Sequence, residues 1–468
     1  MPRRWPTGQL RDEQNEEGKL INHDQYTEDR IFPRDWRGVC AGSWRRARHL
    51  NAAITRLGMI RGFRRVIGIR CAVVGLAILS AVALISCSTS PAQPPAAGGI
   101  SSARASMSGL SSDQMARIDA VARASLGRGI TGAIVSILDP IWGSYLKAYG
   151  SSDAAGTPMT PDMHYQIGSV SKTFTADAVL RLAEQHKLFL DDPIAKHVAD
   201  IPNGDRITVR NLLAMRGGVY DFTDDAGFIA RWKADPTLPG WTPQDAVRII
   251  RAHPGDAKAP DQKTVYSNSE YLLLGFVIEK ASGQTAQQYL TSLIGVLGLP
   301  NTSFPTTDVL PEPFSRGYLS SPGSPEPTTS TSLITSAKAP REVTLSNPLV
   351  TWTAGALISN VPDMTRYAPK LANGAGLAPG TARMRQTWTP LSSTGVRLQY
   401  GLGISRLGGW VGHSGSTLGY SDMVFYLPAR RATVVVMVNA GTDIGAETAT
   451  KLWDGIVKQL YSDSVPNW

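Results

Sequence analysis

Apolar residues between positions 112 and 462 recur with the periods of helices and strands, and their order predicts the architecture. A helix that begins near Asp113 is followed by two strand patterns, which are joined by the turn signal Asp139-Pro140. Further helices are predicted over residues 172–186, 243–252, 269–281, 284–297 and 447–460, and strands over residues 133–138, 144–149, 398–407, 421–427 and 433–439. This order predicts a sheet formed by both ends of the chain, with an α-rich lobe inserted between them.

A separate apolar run lies near the N-terminus, at residues 71–86. It has 16 residues and follows four arginines, whereas a membrane-spanning helix needs about 20. A basic segment followed by a short apolar run is typical of a signal peptide. The run ends in Leu-Ile-Ser-Cys87, which resembles a bacterial lipobox and predicts lipidation of Cys87. The alternative is a short buried helix with an incidental cysteine.

The segments around this run lack apolar periodicity. We expect residues 1–58 to be a disordered or mis-annotated extension, with translation starting at Met59 and the signal peptide at residues 59–86. Residues 87–112 are rich in Ser, Pro, Ala and Gly and are interpreted as a tether. The globular domain is then predicted over residues 112–462.

Charge and cysteine content narrow the possible functions. The 468 residues carry a net charge of +9, but residues 1–86 hold 15 of the 47 basic side chains and only 8 of the 38 acidic ones. The globular part is therefore close to neutral, and we expect no nucleic-acid partner. No cysteine follows Cys87, so disulfides cannot hold the domain together. The histidines show no metal-ligand spacing, and we expect no metal and no cofactor.

Two Ser-x-x-Lys patterns occur, and their settings differ. Ser144 and Lys147 lie in a strand pattern, which turns side chains three apart to opposite faces, whereas Ser169 begins a helix pattern, where positions three apart share a face. A serine at a helix start also lies at the positive end of the dipole. This favours Ser169 as a nucleophile and Lys172 as its base, if burial or a positive neighbour removes the lysine's proton. Alternatively, Ser169 is a helix cap and Lys172 a solvated charge.

Two further motifs offer polar groups for the same site. Tyr266-Ser-Asn268 precedes the 269–281 helix and supplies a phenol that can shuttle a proton and an amide that can hold a lysine or a substrate carbonyl. His413-Ser-Gly-Ser416 precedes the 421–427 strand. Alternatively, Tyr266 is a buried side chain at a helix start and His413 is structural.

The order Ser-x-x-Lys, Tyr-x-Asn, His-x-Gly resembles the motif order of the serine β-lactamase and penicillin-recognising family. The resemblance covers residues 112–462 and is carried by IGSVSKTFTADAVLRLAEQHKLFLDDPI, DRITVRNLLAMRGGVYDFTDD, VYSNSEYLLLGFVIEKASGQ, WTAGALISNVPDM, YGLGISR and WVGHSGSTLGYSDMVFYLP. These blocks resemble class C β-lactamases, and more strongly the Streptomyces-type D-alanyl-D-alanine carboxypeptidases and their esterase relatives. The resemblance implies an α/β (α+β sandwich) fold: an antiparallel β-sheet flanked by helices, with an inserted α-rich lobe and the active site between them.

The resemblance also implies roles for the motif residues. Ser169 would be the acylated nucleophile, Lys172 its activating partner, and Tyr266 the proton relay and the general base of deacylation. Asn268 would orient the substrate, and the backbone N–H groups of Ser169 and Ser416 would form the oxyanion hole.

The substrate-binding residues implied on the sheet are His413, Ser414, Gly415, Ser416 and Arg406. Relatives that cleave peptides with a free carboxylate place an arginine where this chain has Ser405. Because side chains alternate along a strand, Arg406 reaches the cleft only if a bulge turns it, which the nearby glycines permit. His413 could supply partial positive charge if its pKa is the usual value of about 6.5. A second departure, Leu212-Leu-Ala-Met-Arg-Gly-Gly218 in place of a His-x-Ser-Gly stretch, changes a packing position beneath the cleft.

Three functions remain open from the sequence. The first is a lipid-anchored acyl-serine hydrolase, D-alanyl-D-alanine carboxypeptidase-like, acting outside the cytoplasm on cell-wall peptides. The second is an esterase, amidase or weak β-lactamase on the same scaffold. The third is a non-catalytic penicillin-recognising protein, against which the intact Ser169, Lys172, Tyr266 and His413 argue. The expected partners are an acyl substrate, such as peptidoglycan stem peptides or β-lactams, and the membrane through the lipid anchor.

Overall fold

The computed structural model describes residues 109–126, 130–254, 257–319, 341–392 and 398–466. The predicted extension, signal peptide and lipidation site lie outside the described residues, as does nearly all of the tether. Within the described ranges, no helix is both long and apolar enough to cross a membrane.

The central element is an eight-stranded, fully antiparallel sheet with the order β2-β1-β12-β11-β10-β9-β8-β7. Both ends of the domain contribute strands to it, as predicted. Its strands are β1 (Gly132–Asp139), β2 (Gly143–Gly150), β7 (Thr389–Pro390), β8 (Leu398–Tyr400), β9 (Ser405–Leu407), β10 (Trp410–Ser416), β11 (Ser421–Leu427) and β12 (Ala432–Val438). Two small two-stranded sheets pair β3 (Tyr165–Gln166) with β6 (Ile358–Ser359), and β4 (Tyr318–Leu319) with β5 (Arg341–Glu342).

The middle strands are apolar on both faces because the sheet is covered on both sides. In β12, Val434 and Val436 pack into a core formed with the first and last helices, whereas Val435 and Met437 face the large core shared with the helical lobe. Every residue of β11 and β12 is buried, which accounts for their nearly continuous apolar runs.

Helices form the two outer layers and the lobe. They are α1 (Ser112–Ala124), α2 (Ser171–Glu184), α3 (Val209–Leu213), α4 (Ala226–Ala234), α5 (Pro243–Ala252), α6 (Asn268–Ser282), α7 (Ala286–Leu297), α8 (Val361–Asn373), α9 (Pro379–Arg385) and α10 (Thr442–Leu460). The helices α1 and α10 cover one face of the sheet, and α8 lies on the other. The helices α2 to α7 build the lobe, in which α2 packs against α6.

One strand prediction needs correction, and one strand was not predicted. The predicted strand over residues 398–407 is two strands, β8 and β9, which pair with each other antiparallel. The chain reverses between them at Gly403, which has a φ of +73° and lies so close to α2 that a Cβ there would be 2.1 Å from the Cβ of Ala176. The His413 motif precedes β11, as predicted, and itself lies inside strand β10, which the sequence analysis did not predict.

Candidate active site

A cleft of about 230 Å³ lies beside the end of β10, where the sheet meets the helical lobe. It brings together the turn before α2, the start of α6 and the end of β10. The described residues that line it carry no charged side chain, and they are Gln166, Gly168, Ser169, Thr223, Trp232, Tyr266, Asn268, Ser346, Asn347, Pro348, Val350, Thr351, Ala354, Gly355, Ser416 and Thr417.

The nucleophile candidate lies at the start of the long helix, as predicted. Ser169 belongs to a single 3₁₀ turn, Gly168–Val170, which continues directly into α2. One helical turn separates Ser169 from Lys172, and the Nζ of Lys172 lies 3.0 Å from the Oγ of Ser169. The other Ser-x-x-Lys lies in β2, where the Nζ of Lys147 forms an ion pair with Asp119 instead.

Lys172 is fully buried, and three oxygen atoms surround its amine. Besides Ser169, its Nζ donates to the Oδ1 of Asn268 at 2.7 Å and to the backbone oxygen of Ala354 at 2.8 Å. Burial lowers the pKa of Lys172 to about 7, although the carboxylate of Asp221 opposes this shift. Burial thus provides the condition that the sequence left open for a lysine base.

A neutral amine has two N–H groups and one lone pair. The amide oxygen of Asn268 and the carbonyl oxygen of Ala354 can only accept hydrogen bonds, so they occupy the two N–H groups of Lys172. The lone pair remains for the hydroxyl proton of Ser169. This arrangement suits proton abstraction from Ser169 by Lys172.

Tyr266 and Asn268 flank Ser267, the residue that caps α6. The ring centre of Tyr266 lies 4.8 Å from the Nζ of Lys172. Its buried hydroxyl makes no hydrogen bond in the described structure. Burial, together with Tyr400 and Asp221, raises the pKa of Tyr266 well above 10 and outweighs the opposite effect of the nearby Ser169 hydroxyl. With Tyr266 a neutral phenol, Lys172 is the better base for the acylation step.

The two predicted oxyanion-hole amides lie on facing segments. Thr417 donates its N–H to the backbone oxygen of Tyr420 at 2.8 Å, and because the N–H groups of successive residues in a strand point in opposite directions, the N–H of Ser416 points away from β11. Gly168 packs against this backbone, since a Cβ on Gly168 would lie 2.7 Å from the nitrogen of Ser416. The N–H of Ser169 lies in the first turn of the 3₁₀ helix, where amides lack intrahelical acceptors.

The structure separates His413 from the cleft lining. His413 is buried behind Tyr266, where its Nδ1 donates to the backbone oxygen of Ser414 at 2.6 Å and its Nε2 lies 3.3 Å from the hydroxyl of Tyr400. Burial lowers the pKa of His413 to about 3, with Lys172 adding to the shift. A pKa this low makes the imidazole neutral at physiological pH, so the condition under which His413 was expected to supply positive charge, an ordinary pKa, is not met.

The three residues that follow His413 lie in different surroundings. Ser414 is exposed and is not among the described lining residues, whereas Gly415 packs against Ile167, whose backbone oxygen would lie 2.2 Å from a Cβ on the glycine. Only Ser416 of this motif lines the cleft. The assignment of His413, Ser414 and Gly415 as substrate-binding residues therefore has no contact in the cleft to support it.

Arg406 also lies away from the cleft. Its Nε donates to the backbone oxygen of Gly408 at 2.9 Å, and its guanidinium lies 6.0 Å from the ring centre of Trp388. In the β8–β9 hairpin, Ser405 pairs with the buried Tyr400, so Ser405 occupies the inward position and Arg406 the opposite face. The register of this hairpin is regular, with Gln399 opposite Arg406, so no bulge redirects Arg406. The described structure therefore gives no contact in the cleft that supports the assignment of Arg406 as a substrate-binding residue.

Three groups of the site were not predicted from the sequence: the carbonyl of Ala354 and the side chains of Asp221 and Thr223. The carbonyl of Ala354 has no sequence signal because it acts through the backbone. Asp221 and Thr223 hold the amide of Asn268, and the Asx-turn pattern Asp-x-Thr was visible but not interpreted.

The described residues also form a second concavity, but they offer no alternative catalytic or metal site. A more open concavity of about 440 Å³, lined partly by His197, Arg248 and Arg251, lies on the helical lobe and contains no serine–lysine pair. In the same part of the chain, no cluster of three His, Cys, Asp or Glu side chains could hold a metal ion.

Comparison with known proteins agrees with this geometry. Residues 115–455 match the family profile described as beta-lactamase. Protein flp of Staphylococcus aureus (strain COL) is 30% identical over 218 residues, which cover 45% of this chain and 42% of that protein. Teichoic acid D-alanine hydrolase of Staphylococcus aureus (strain MRSA252) is 28% identical over 174 residues, which cover 37% of this chain and 41% of that protein. The chain thus spans about two fifths of the length of these curated relatives.

Solved structures share the fold. A D-stereospecific amidohydrolase from Streptomyces sp. has a TM-score of 0.63 at 25% identity, over 74% of this chain and 98% of that one. The octameric penicillin-binding protein homologue from Pyrococcus abyssi has a TM-score of 0.58 at 27% identity, over 70% of this chain and 73% of that one. Since the family profile covers most of the sequence, and the described fold and the Ser169–Lys172 pair agree with it, the chain belongs to the β-lactamase family of serine hydrolases.

Proposed function

We propose that this protein hydrolyses ester or amide bonds with uncharged leaving groups through an acyl-enzyme on Ser169. The observation that carries the proposal is the absence of any charged side chain among the described residues of the cleft lining, beside a serine whose base is ready to accept its proton. A carboxylate that enters a partly desolvated cleft needs a fixed cation, whereas a neutral leaving group does not.

The proposed catalytic cycle uses the groups around Ser169. Lys172 takes the hydroxyl proton as the Oγ of Ser169 attacks the carbonyl carbon, and the N–H groups of Ser169 and Ser416 stabilise the resulting oxyanion. The proton passes through Tyr266 to the leaving group, which departs as an alcohol or amine. Water then attacks the acyl-enzyme with Tyr266 or Lys172 as the base, and the acid product leaves with Ser169 restored.

The acyl group is proposed to be a D-amino-acyl compound. This part of the proposal rests on similarity to a teichoic acid D-alanine hydrolase and to a D-stereospecific amidohydrolase. The wall formed by Trp232, Pro348 and Val350 offers apolar contact for an acyl side chain.

D-alanyl-D-alanine carboxypeptidase activity is the second candidate. The hydroxyl groups of Ser416 and Thr417 in the cleft favour it, because they can donate hydrogen bonds to a terminal carboxylate. Neutral donors bind a carboxylate less strongly than an arginine fork does. We therefore place this activity below that on neutral esters and amides.

We further propose that the protein works outside the cytoplasmic membrane, held by lipid on Cys87. The support is the basic segment, the apolar run 71–86 and the lipobox-like ending. Cell-wall stem peptides and D-alanylated polymers would then be within its reach.

Mass spectrometry of the domain tests the hydrolase proposal. The protein is incubated separately with a p-nitrophenyl acyl ester, a D-amino-acyl amide and a β-lactam, and the adduct mass is mapped to a peptide. An adduct on Ser169 with turnover of the ester or amide supports the proposal. Intact protein mass with all three compounds, and no product, would leave the non-catalytic alternative.

A further inference from the structure

The side chain of Asn268 is held by two neighbours that the family motifs do not include. Its Nδ2 donates to the Oδ2 of Asp221 at 3.2 Å and to the Oγ1 of Thr223 at 3.1 Å. The backbone N–H of Asn268 donates to the same Asp221 oxygen at 2.8 Å. Thr223 in turn donates its hydroxyl to the Oδ1 of Asp221 at 2.8 Å, which leaves its oxygen free to accept. The four hydrogen bonds form a closed network.

This network fixes which way the amide of Asn268 points. Both hydrogens of Nδ2 have acceptors on the side of Asp221 and Thr223, so the Oδ1 faces Lys172. A flipped amide would place N–H groups against the amine of Lys172 and its oxygen against the carboxylate of Asp221. The amine would then use its lone pair to accept from Asn268, and would have none to direct at Ser169.

We propose that Asp221, together with Thr223, is a positioning residue of this site, which orients the amide of Asn268 so that the lone pair of Lys172 points at the hydroxyl of Ser169. The inference rests on the proposed function, because it concerns the same acylation step. Asp221 lies 47 residues before Asn268 in the sequence, so the network also fixes the 3₁₀ turn Phe222–Asp224 against the start of α6.

A structural role alone does not account for these contacts. One hydrogen bond to the backbone N–H of Asn268 would suffice to anchor the start of α6, yet Asp221 and Thr223 also take up both hydrogens of the side-chain amide. The carboxylate also opposes catalysis, because its negative charge raises the pKa of Lys172, whereas burial lowers it. Two opposite effects on the same lysine give the experiment a distinct signature.

The titratable groups around Lys172 define that signature. Besides Asp221, they are Tyr266 and Tyr271, whose ring centres lie 4.8 and 6.0 Å from the Nζ, and His413, whose charge interaction with Lys172 lowers its own pKa. The buried Glu270 and Asp224 each interact electrostatically with Asp221. Of these groups, only Asp221 also bonds the amide of Asn268 in the described structure.

The test measures the rate of acylation by a chromogenic p-nitrophenyl ester against pH, in the parent and in Asp221→Asn. The plateau rate should fall by about 10²- to 10⁴-fold, the upper figure being the loss when the carboxylate that orients a catalytic histidine is replaced by an amide. The rising part of the pH profile should shift to lower pH, because the negative charge no longer raises the pKa of Lys172. A lower plateau reached at lower pH distinguishes lost orientation from a lost base.

Asp224→Asn is the matched control. It removes the same charge from the same 3₁₀ turn, and Asp224 is not a hydrogen-bond partner of Asn268 in the described structure. Its plateau should stay within about threefold of the parent. Thr223→Val provides a second variant that keeps the charge of Asp221, and it should lower the plateau without moving the profile along the pH axis.

The outcomes separate this inference from the proposed function. A plateau for Asp221→Asn within threefold of the parent overturns the inference, as does an equal loss in Asp224→Asn. If Asp221→Asn does not fold, the Thr223→Val result decides in the same way. If the parent itself is not acylated by any ester, the proposed function fails and the inference fails with it.

Discussion

The Nζ of Lys172 lies 3.0 Å from the Oγ of Ser169, within a pocket that excludes solvent from the amine. The helix brings the two side chains onto one face, and burial lowers the pKa of the amine to about 7, so that a large fraction of it is uncharged at neutral pH. In the proposed mechanism, four consecutive residues thus supply both the nucleophile and its base.

Removing Ser169 should abolish acylation, and removing Lys172 should slow it strongly. Ser169→Ala should form no adduct with an acyl ester or a β-lactam, and Lys172→Ala should acylate at least about 10³-fold more slowly because the hydroxyl then lacks its base. Adduct mass and burst kinetics measure both effects. Ser144→Ala is the matched control, since Ser144 begins the other Ser-x-x-Lys pattern on β2, and it should react as the parent does. Normal turnover by Ser169→Ala would contradict the mechanism.

The acylation rate should depend on pH through Lys172. The base form is the neutral amine, which predominates above its pKa of about 7. The value of kcat/KM should therefore rise about tenfold per pH unit below pH 7 and level off above it. The measurement uses a neutral ester, so that the substrate does not titrate.

His413 should not contribute to the dependence of kcat/KM on pH, because its pKa of about 3 keeps the imidazole neutral over the pH range in which Lys172 titrates. His413→Gln should shift the midpoint by less than about half a pH unit. A midpoint near 10 in the parent would show that Lys172 titrates near its ordinary pKa and remains charged at neutral pH, which would contradict the lowering of its pKa by burial.

The sequence predicted those parts of the site that depend on local geometry. Ser169 and Lys172 share a face because they are three apart in a helix, and α5 and β11 begin and end at the predicted residues. The reversal at Gly403 was missed because it depends on contact with Ala176, more than 200 residues earlier in the chain. The burial of His413 and Lys172 could not be read from their neighbours in sequence, since the covering residues come from distant segments.

Forcing apart the two segments that carry the proposed oxyanion-hole amides should slow catalysis. In Gly168→Ala, the new Cβ would lie 2.7 Å from the nitrogen and the oxygen of Ser416, at a backbone φ of +47°. The two segments must separate, and kcat should fall by about 10²- to 10³-fold, as when one oxyanion-hole donor is removed. Gly156→Ala is the control, because its φ of +90° carries similar backbone strain but no atom lies within 4 Å. Equal kcat values for the two variants would refute the assignment.

Lipid attachment should depend on Cys87. In the native host, Cys87→Ala should leave an uncleaved precursor or a released protein, because the two or three acyl chains of a bacterial lipoprotein are what hold it to the membrane. Detergent-phase partitioning and the N-terminal mass measure the change. Cys40→Ala, upstream of the apolar run, is the control and should partition as the parent does. Unchanged processing and partitioning of Cys87→Ala would rule the lipidation site out.

Arg406→Ala should not alter the preference for leaving groups. The substrates compared are a D-alanyl peptide with a free terminal carboxylate and its amide, with kcat/KM as the measure. The amide should react at least as fast as the acid, because the described cleft lining offers a terminal carboxylate hydroxyl groups but no cation. The ratio should stay the same in Arg406→Ala, since that guanidinium bonds Gly408 and faces Trp388. A strong preference for the acid that disappears in Arg406→Ala would instead mean that the arginine turns into the cleft when substrate binds, and carboxypeptidase activity would then be the better assignment.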